Sequence, residues 1–535
     1  MHVAQFIHRY PPALGGAESY IARLCEYLAA SGDSVTVWTT TAVELAEMWH
    51  QKSPVAVLSS PGTAAVPAAG VESLSSPGTA AVTAAGVESL SSPGTAAVTA
   101  AGVESLSSPG TAAVTAAGVE FLSHQNEPAG SLIGRTAAGT AAVPGEVIGR
   151  TAAGTAAVPG EVIGRTAAGT AAVPGKPVVH RYSPLRFPAR RYVLKAISLL
   201  PVRRWQCFTT PCNPVCPAMY RDAGRFEGPL DAVHATAFPY SFPIACGLRL
   251  ARRRGVPFFV TPFLHSGDPT DPRDRTRRQY TTPHLRWLLR QADGVFVQTR
   301  AERDIAVSLG VKADRVHLQG LGVDPAECTG GNRERVRSEW AVGDAVVIGH
   351  LANNSEEKGT CDLLRAAELQ WATGKRFRVV LAGPEMSNFQ RFWTGYRGKE
   401  NVTRLGVLSD EAKRDFFAGI DAFALPSRSD SFGLVLLEAW ANGQPNLVYR
   451  AGGPAELVRD GIDGLQAACG DVGELAVKLG RLVADSGLRR TLGETGLARI
   501  ALEFRWADKL ALVRHATEKA IWAEMLSDKR IKVGA

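Results

Sequence analysis

No window of the chain holds the roughly 18–20 consecutive apolar residues that a membrane-spanning helix needs. The opening MHVAQFIHRY reads as a strand and not as a charged region followed by an apolar leader core, so a cytoplasmic location is expected. Cysteine is sparse: eight residues scattered over 535 cannot form the dense framework of a stapled secreted domain and are expected to be reduced thiols. Cys207, Cys212 and Cys216 cluster, but they lack a fourth ligand of matching type and prolines interrupt their spacing, so no metal is expected there. The formal charge of +8 favours anionic partners such as phosphates and acidic lipid surfaces. No basic stripe with interleaved aromatics accompanies it, which argues against nucleic acid.

What the chain has is ordinary globular material, with 45% hydrophobic and 21% charged residues, enough for two or three units at about 100–200 residues per domain. One stretch is different. The unit LSSPGTAAVTAAGVES recurs with a period of sixteen, restarting at Leu58, Leu74, Leu90 and Leu106, and IGRTAAGTAAVPGEV recurs with a period of fifteen from Ile133, Ile148 and Ile163. The copies hardly vary, and small residues with Gly and Pro cannot offset an ordering entropy of roughly 1–2 kcal/mol per residue. Residues 54–177 are therefore expected to be a poorly ordered insert, with a short β-solenoid as the alternative.

Outside the insert, strand-like runs alternate with helical periodicity, the pattern of parallel sheets covered by helices. HVAQFIHRY, SVTVWTT, DAVHAT, PFFVTPFLH, GVFVQT and RVHLQG supply strands of a first Rossmann-like domain, residues 1–330. AVVIGHLA, RFRVVLAG, NVTRLG and DAFALP supply a second, residues 331–505, and residues 506–535 read as a helix that packs back on the first. The fold class is α/β.

Parallel sheets bind ligands at the carboxyl ends of their strands, so the informative residues lie just after strands. Gly15 and Gly16 in PPALGGAESY let the backbone approach a phosphate at a helix N-terminus, or simply make a tight turn. Lys358, followed by Gly359 and a helix, can neutralise a diphosphate, or can be an exposed helix-start lysine. His350 and Asn353 lie in the same region as secondary polar contacts. In ALPSRSDSFGLVLLEAWANG, Asp430 precedes Glu438 by eight positions. Ser431, Phe432, Gly433 and Leu434 between them offer backbone N–H groups to phosphate oxygens. The two carboxylates can accept hydrogen bonds from sugar and ribose hydroxyls.

Taken together, PxxxGGAE, ADGVFVQTRAERD, LGVKADRVHLQGLGVD, the Lys358–Gly359 pair, the paired acids and AGGPAELVRDGIDG at 451–464 resemble the retaining glycosyltransferases of the large family 4 group, which have the GT-B fold. The resemblance covers roughly residues 1–53 and 178–525. It implies two Rossmann-like domains facing a cleft, with a nucleotide-diphosphate sugar held mostly by the second. Lys358 would meet the diphosphate, Glu438 the ribose and Asp430 the transferred sugar. Gly16 would face the diphosphate from the first domain, and His265 in TPFLHSGDP would be the first-domain histidine near the reacting sugar. Retention without a metal or other cofactor is implied, with a glycan, lipid-linked or small-molecule acceptor. The chain departs from the pattern in carrying Asp430 where the group has Glu, and in placing His350 where an arginine often accompanies the lysine.

Other readings are a silent sugar-nucleotide-binding scaffold and a GT-B epimerase or phosphorylase. RFPARRYVLKAISLLPVRRW, residues 186–205, interleaves arginines with aliphatic residues and suits either a packed helix with a basic outer side or peripheral contact with an anionic membrane at its inner face. Deleting residues 58–174 and joining the flanks is expected to preserve a single cooperative melt and donor binding, since each doubling of loop length changes closure by only about 0.6 kcal/mol. Loss of cooperativity in a thermal scan of the deletion variant would place the repeats in the core.

Overall fold

The computed structural model describes residues 1–49 and 176–533 apart from Leu14 and Pro272, and the expected insert with its repeats lies outside the described residues save its last two positions. Two parallel sheets organise these residues. The first runs β3-β2-β1-β4-β5-β6-β7, built from β1 (His2–Phe6), β2 (Ser34–Thr40), β3 (Val178–Tyr182), β4 (Ala232–Thr236), β5 (Phe258–Thr261), β6 (Gly294–Val297) and β7 (Val316–Leu318). The second runs β10-β9-β8-β11-β12-β13, built from β8 (Val346–Leu351), β9 (Phe377–Ala382), β10 (Val402–Arg404), β11 (Ala422–Leu425), β12 (Asn446–Tyr449) and β13 (Gly464–Ala467).

The strand order reverses between β1 and β4 in one sheet and between β8 and β11 in the other. At such a switch point the connections leave in opposite directions and open a crevice beyond the strand ends. Both crevices are occupied by the loops singled out above. Central strands are buried along nearly their whole length, as the run of buried residues in β1, β4, β5 and β11 shows, because helices cover both faces.

The first connection illustrates how sequence places a site loop. Helix α1 (Gly16–Ala30) buries Tyr20, Ile21, Leu24, Cys25 and Leu28, a stripe at helical spacing. Each fully buried aliphatic residue of that stripe contributes about 1.5–3 kcal/mol, so the start of the helix is fixed and Gly15 and Gly16 sit at its N-terminal end over the crevice. Between β3 and β4 the basic stretch forms α2 (Arg190–Ser198) and α3 (Arg203–Thr209). The closing helix Trp506–Val533 returns to the first domain, where Arg514 Nε donates to Asp33 Oδ2 at 2.8 Å and Trp506 lies 6.4 Å from the Tyr20 ring. Among the described residues no helix is long and apolar enough to cross a membrane.

Three imidazoles are enclosed within the two domains. Burial lowers His234 to about 3, and burial with nearby Arg203 lowers His284 to about 4. Burial, assisted by Lys358 against the Ala424 carbonyl, lowers His350 to about 4. Each is neutral in the folded protein near pH 5 but charged in the unfolded chain below 6.5, so the unfolded state binds more protons and stability is lost as the pH is lowered through that window. Urea midpoints are expected to drop steadily from pH 6.5 towards 4, with each imidazole contributing at most about 1.4 kcal/mol per pH unit. A flat profile would contradict the neutral assignment.

Candidate active site

The loop after β8 is shaped by one glycine. Gly359 adopts φ +74°, and a Cβ there would lie 1.8 Å from the Pro426 carbonyl oxygen, so the loop closes against the segment that follows β11. His350 supports it from beneath. Its Nδ1 pairs with the Ala424 carbonyl at 2.8 Å and its Nε2 with Thr360 Oγ1 at 2.9 Å, while Thr360 Oγ1 also accepts from the Ser355 amide at 3.1 Å. With both nitrogens engaged in the interior, His350 ties the strand to the helix and has none left for a ligand. The sequence expectation of a secondary contact there gives way to a supporting role.

Lys358, held at the top of this loop, donates to Asp430 Oδ2 at 2.7 Å. Burial opposes ionisation of Asp430, but Lys358, His265 and the Phe432 amide together hold the carboxyl below its ordinary range. Gly433 then caps the helix Leu434–Ala441, and Glu438, one turn along it, pairs with Lys413 Nζ at 2.9 Å. Asp430 and Glu438 thus face the same space, each already bound to a lysine.

From the first domain, the loop after β5 carries His265, whose ring lies tilted against that of Tyr280 at 4.6 Å. Burial and the nearby Lys358 charge lower His265 to about 4, against the pull of Asp430. It is a neutral imidazole at physiological pH. Two contacts register this loop on the second domain: Arg428 Nη1 donates to Asp268 Oδ2 at 2.9 Å, and the Gly267 amide to Ser429 Oγ at 3.2 Å. Beyond β1, Arg9 Nη2 and His8 Nε2 meet Glu18 Oε1 at 2.6 and 3.3 Å, and His8 stacks on Tyr240 at 4.1 Å.

A cavity of about 790 Å³ lies between the domains. Gly15, Gly16, Asn353, Lys358, Asp430, Gly433, Leu434 and Glu438 all line it. Ser431, Phe432 and His265 are not among its lining residues. The Phe432 ring is 4% exposed and belongs to the core, and the Ser431 carbonyl faces Gly453 so closely that a Cβ there would sit 2.3 Å away. Lys413, Arg428, Asp268 and Glu18 were not singled out from sequence. Glu18 stands inside PxxxGGAE and Arg428 two residues before Asp430, but their partners are remote in the chain. Among the described residues no group of three His, Cys, Asp or Glu side chains is placed to hold a metal ion. The arrangement offers cations and helix-terminal amides to a phosphate group, with carboxylates beside them for hydroxyls.

Two doubly wound sheets with their crevices facing one cavity define a GT-B protein. Residues 332–499 match the family described as Glycosyl transferases group 1, and residues 147–322 match the Glycosyl transferase 4-like domain. The D-inositol 3-phosphate glycosyltransferase of Saccharomonospora viridis is 31% identical over 330 residues, 57% of this chain and 74% of that protein. The protein of the same name from Nocardia farcinica is 28% identical over 270 residues, 48% of this chain, which spans 58% of that relative's length. Among solved structures, sucrose-phosphate synthase from Thermosynechococcus elongatus superposes with a TM-score of 0.59 at 16% identity, covering 98% of this chain and 99% of that one. The chain belongs to the glycosyl transferases group 1 family.

Gly359→Ala is expected to cost about 2–3 kcal/mol, since the new methyl group meets backbone and the left-handed conformation is strained. A denaturant midpoint equal to the parent's would show that the β8 and β11 loops do not meet as described.

Proposed function

We propose that the protein is a retaining glycosyltransferase that moves a sugar from a nucleotide-diphosphate sugar to an acceptor hydroxyl. The observation that carries this reading is the Lys358–Asp430 pair at the head of the helix Leu434–Ala441, with Glu438 one turn on and Gly16 opposite in the same cavity. Lys358 and the amides at Gly433 and Leu434 meet the diphosphate, where charge grows as the bond to the anomeric carbon breaks. Glu438 holds the ribose, and Asp430 with the neutral His265 flanks the transferred sugar. In front-face displacement the acceptor oxygen bonds to the anomeric carbon on the side the diphosphate leaves, and the acceptor proton passes to the departing phosphate oxygen. Retention follows without a covalent intermediate on the protein.

The acceptor, a glycan or a lipid-linked molecule, enters from the first domain. The exposed basic and aliphatic side chains of α2 and α3 support peripheral contact with an anionic membrane from the cytoplasmic side. Incubation with UDP-, GDP- and ADP-sugars tests the reading. Transfer or slow donor hydrolysis supports it, binding without either points to a scaffold, and interconversion of free donor sugars points to an epimerase.

The two carboxylates are expected to differ in how their loss is felt. Glu438→Gln removes a contact made equally in ground and transition states, so the donor KM rises about tenfold with little change in kcat. Asp430→Asn acts where charge changes, so kcat falls by about tenfold or more while KM moves less. Parent-like kinetics in both variants, with parent-like melts, would remove this motif from the donor site.

A further inference from the structure

The surface between β3 and β4 has an unusual charge pattern. From Lys176 to Arg221 the chain carries nine Lys and Arg residues and no Asp or Glu. Arg190 is buried and Arg221 pairs with Asp222, and beside the remaining cations stand large apolar side chains turned to solvent: Tyr192 is 75% exposed, Leu199 76% and Trp205 55%, with Leu200 and Val202 at the elbow between α2 and α3. Soluble surfaces scatter such residues singly, and a contiguous group of them marks an interaction site. Here the positive charge selects a negative, apolar partner.

Beside this face lies a second cavity, of about 640 Å³, between Trp49, Phe187, Tyr192 and Pro211. Its wall is built and not incidental. Arg190 donates to the Pro211 carbonyl at 3.3 Å and to that of Asn213, and Trp49 Nε1 donates to the Cys212 carbonyl at 3.2 Å. Glu47, just before Trp49, turns its carboxylate onto the Val43 and Glu44 amides at 2.7 and 3.2 Å. Arg191, exposed on α2, and Tyr192 belong to both the cavity and the outer face. Aromatic walls with a guanidinium at the rim fit an apolar chain that ends in a negative group.

The cavity also adjoins the proposed reaction centre. Trp49 and Phe187 lie in the segments that follow β2 and β3, as Gly16 follows β1. Cys212 Sγ lies 3.8 Å from the Pro239 carbonyl, and the next residue, Tyr240, stacks on His8 at 4.1 Å. On the other side of the site the Tyr280 ring lies 4.6 Å from that of His265, tilted against it.

Resting on the transferase reading above, we infer that the Trp49–Phe187–Tyr192 cavity holds the acceptor, an anionic amphiphile supplied by a lipid bilayer on which the α2–α3 face docks. The bilayer surface gathers the protein through the arginines, Leu199 and Trp205 enter its interface, and the acceptor passes along Arg191 into the aromatic walls with its hydroxyl towards His265.

The test uses the full chain. Flotation with vesicles of phosphatidylglycerol and phosphatidylcholine is expected to retain the protein at low salt, and pure phosphatidylcholine is expected to retain it about tenfold less, because surface attraction to basic residues is screened and charge-dependent. The doubly substituted Leu199→Ser, Leu200→Ser variant loses vesicle binding by a similar factor while its donor hydrolysis stays unchanged. Dodecyl phosphate below its micelle concentration is expected to bind at one site, read as the fluorescence change absent in Trp49→Phe, and Arg191→Gln and Phe187→Ala each weaken it about tenfold with parent-like melts.

Equal binding of neutral dodecyl maltoside, equal retention on phosphatidylcholine, or parent-like dodecyl phosphate affinity in both pocket variants would overturn the proposal. So would a dimer in light scattering that Leu199→Ser, Leu200→Ser dissociates, since a second copy would then cover the face. Vesicle and dodecyl phosphate binding without any use of UDP-, GDP- or ADP-sugars would instead sink the transferase reading and leave this site standing.

Discussion

Arg428 holds the two domains in register, and the geometry of the candidate site depends on it. One guanidinium nitrogen donates to Asp268 of the first domain at 2.9 Å and another to Asp362 of the second at 2.6 Å. Asp362 is almost fully buried and also accepts from the Tyr449 hydroxyl at 3.2 Å and Arg365 at 2.9 Å. A buried carboxylate of this kind is costly without its cation, so Arg428 is anchored from the second-domain side whether or not the cleft is closed. Its remaining fork reaches the loop that carries His265. Because Arg428 stands two residues before Asp430, the same short segment fixes where His265 and Asp430 meet.

Around that fixed point three cations of the cleft are already paired. Lys358 is bound to Asp430, Lys413 to Glu438, and Arg23 to Glu327. Burial keeps His265 uncharged, so it adds no positive charge to this balance at neutral pH. In the reading proposed above, a diphosphate that meets Lys358 or Lys413 does not find a bare cation. It exchanges with carboxylates that are then free to accept hydroxyl hydrogen bonds, which couples recognition of phosphate to recognition of sugar. The short arm of Asp430 bears on this exchange, since it reaches Lys358 directly at 2.7 Å.

The fold was legible wherever period and punctuation agreed. β1, β2 and β4 through β11 lie in runs whose apolar character and flanking turns mark them in the sequence. β3, β12 and β13 escaped notice for physical reasons. β3 is an edge strand of mostly exposed or half-buried residues, and β12 and β13 are four-residue strands inside QPNLVYR and DGLQAA, too short for a period to declare itself. At the site, residues near one another in sequence were readable as a group. What could not be read was direction. Phe432 turns to the core and His350 faces inward because their neighbours in space, Gly453 and Thr360 among them, are fixed by packing that no local pattern encodes.

The glycine pair at the start of α1 shows how one motif serves two demands. A Cβ at Gly15 would lie 2.3 Å from Glu18 Oε2, because Glu18 folds back over the helix start to reach Arg9 and His8. Burial resists the charge on Glu18, but His8 and Arg9 hold its carboxyl below the ordinary range, so this buried cluster is a fixed part of the first crevice. Gly15 is therefore required by the protein's own carboxylate. Gly16 is different: a Cβ there would meet nothing within 4 Å, and the residue lines the interdomain cavity. The protein leaves that space open on its own account, which suits the close approach of a diphosphate to the backbone in the reading proposed above. On that reading the two adjacent glycines divide between fold and ligand: a side chain at position 15 meets Glu18, and one at position 16 enters the open cavity.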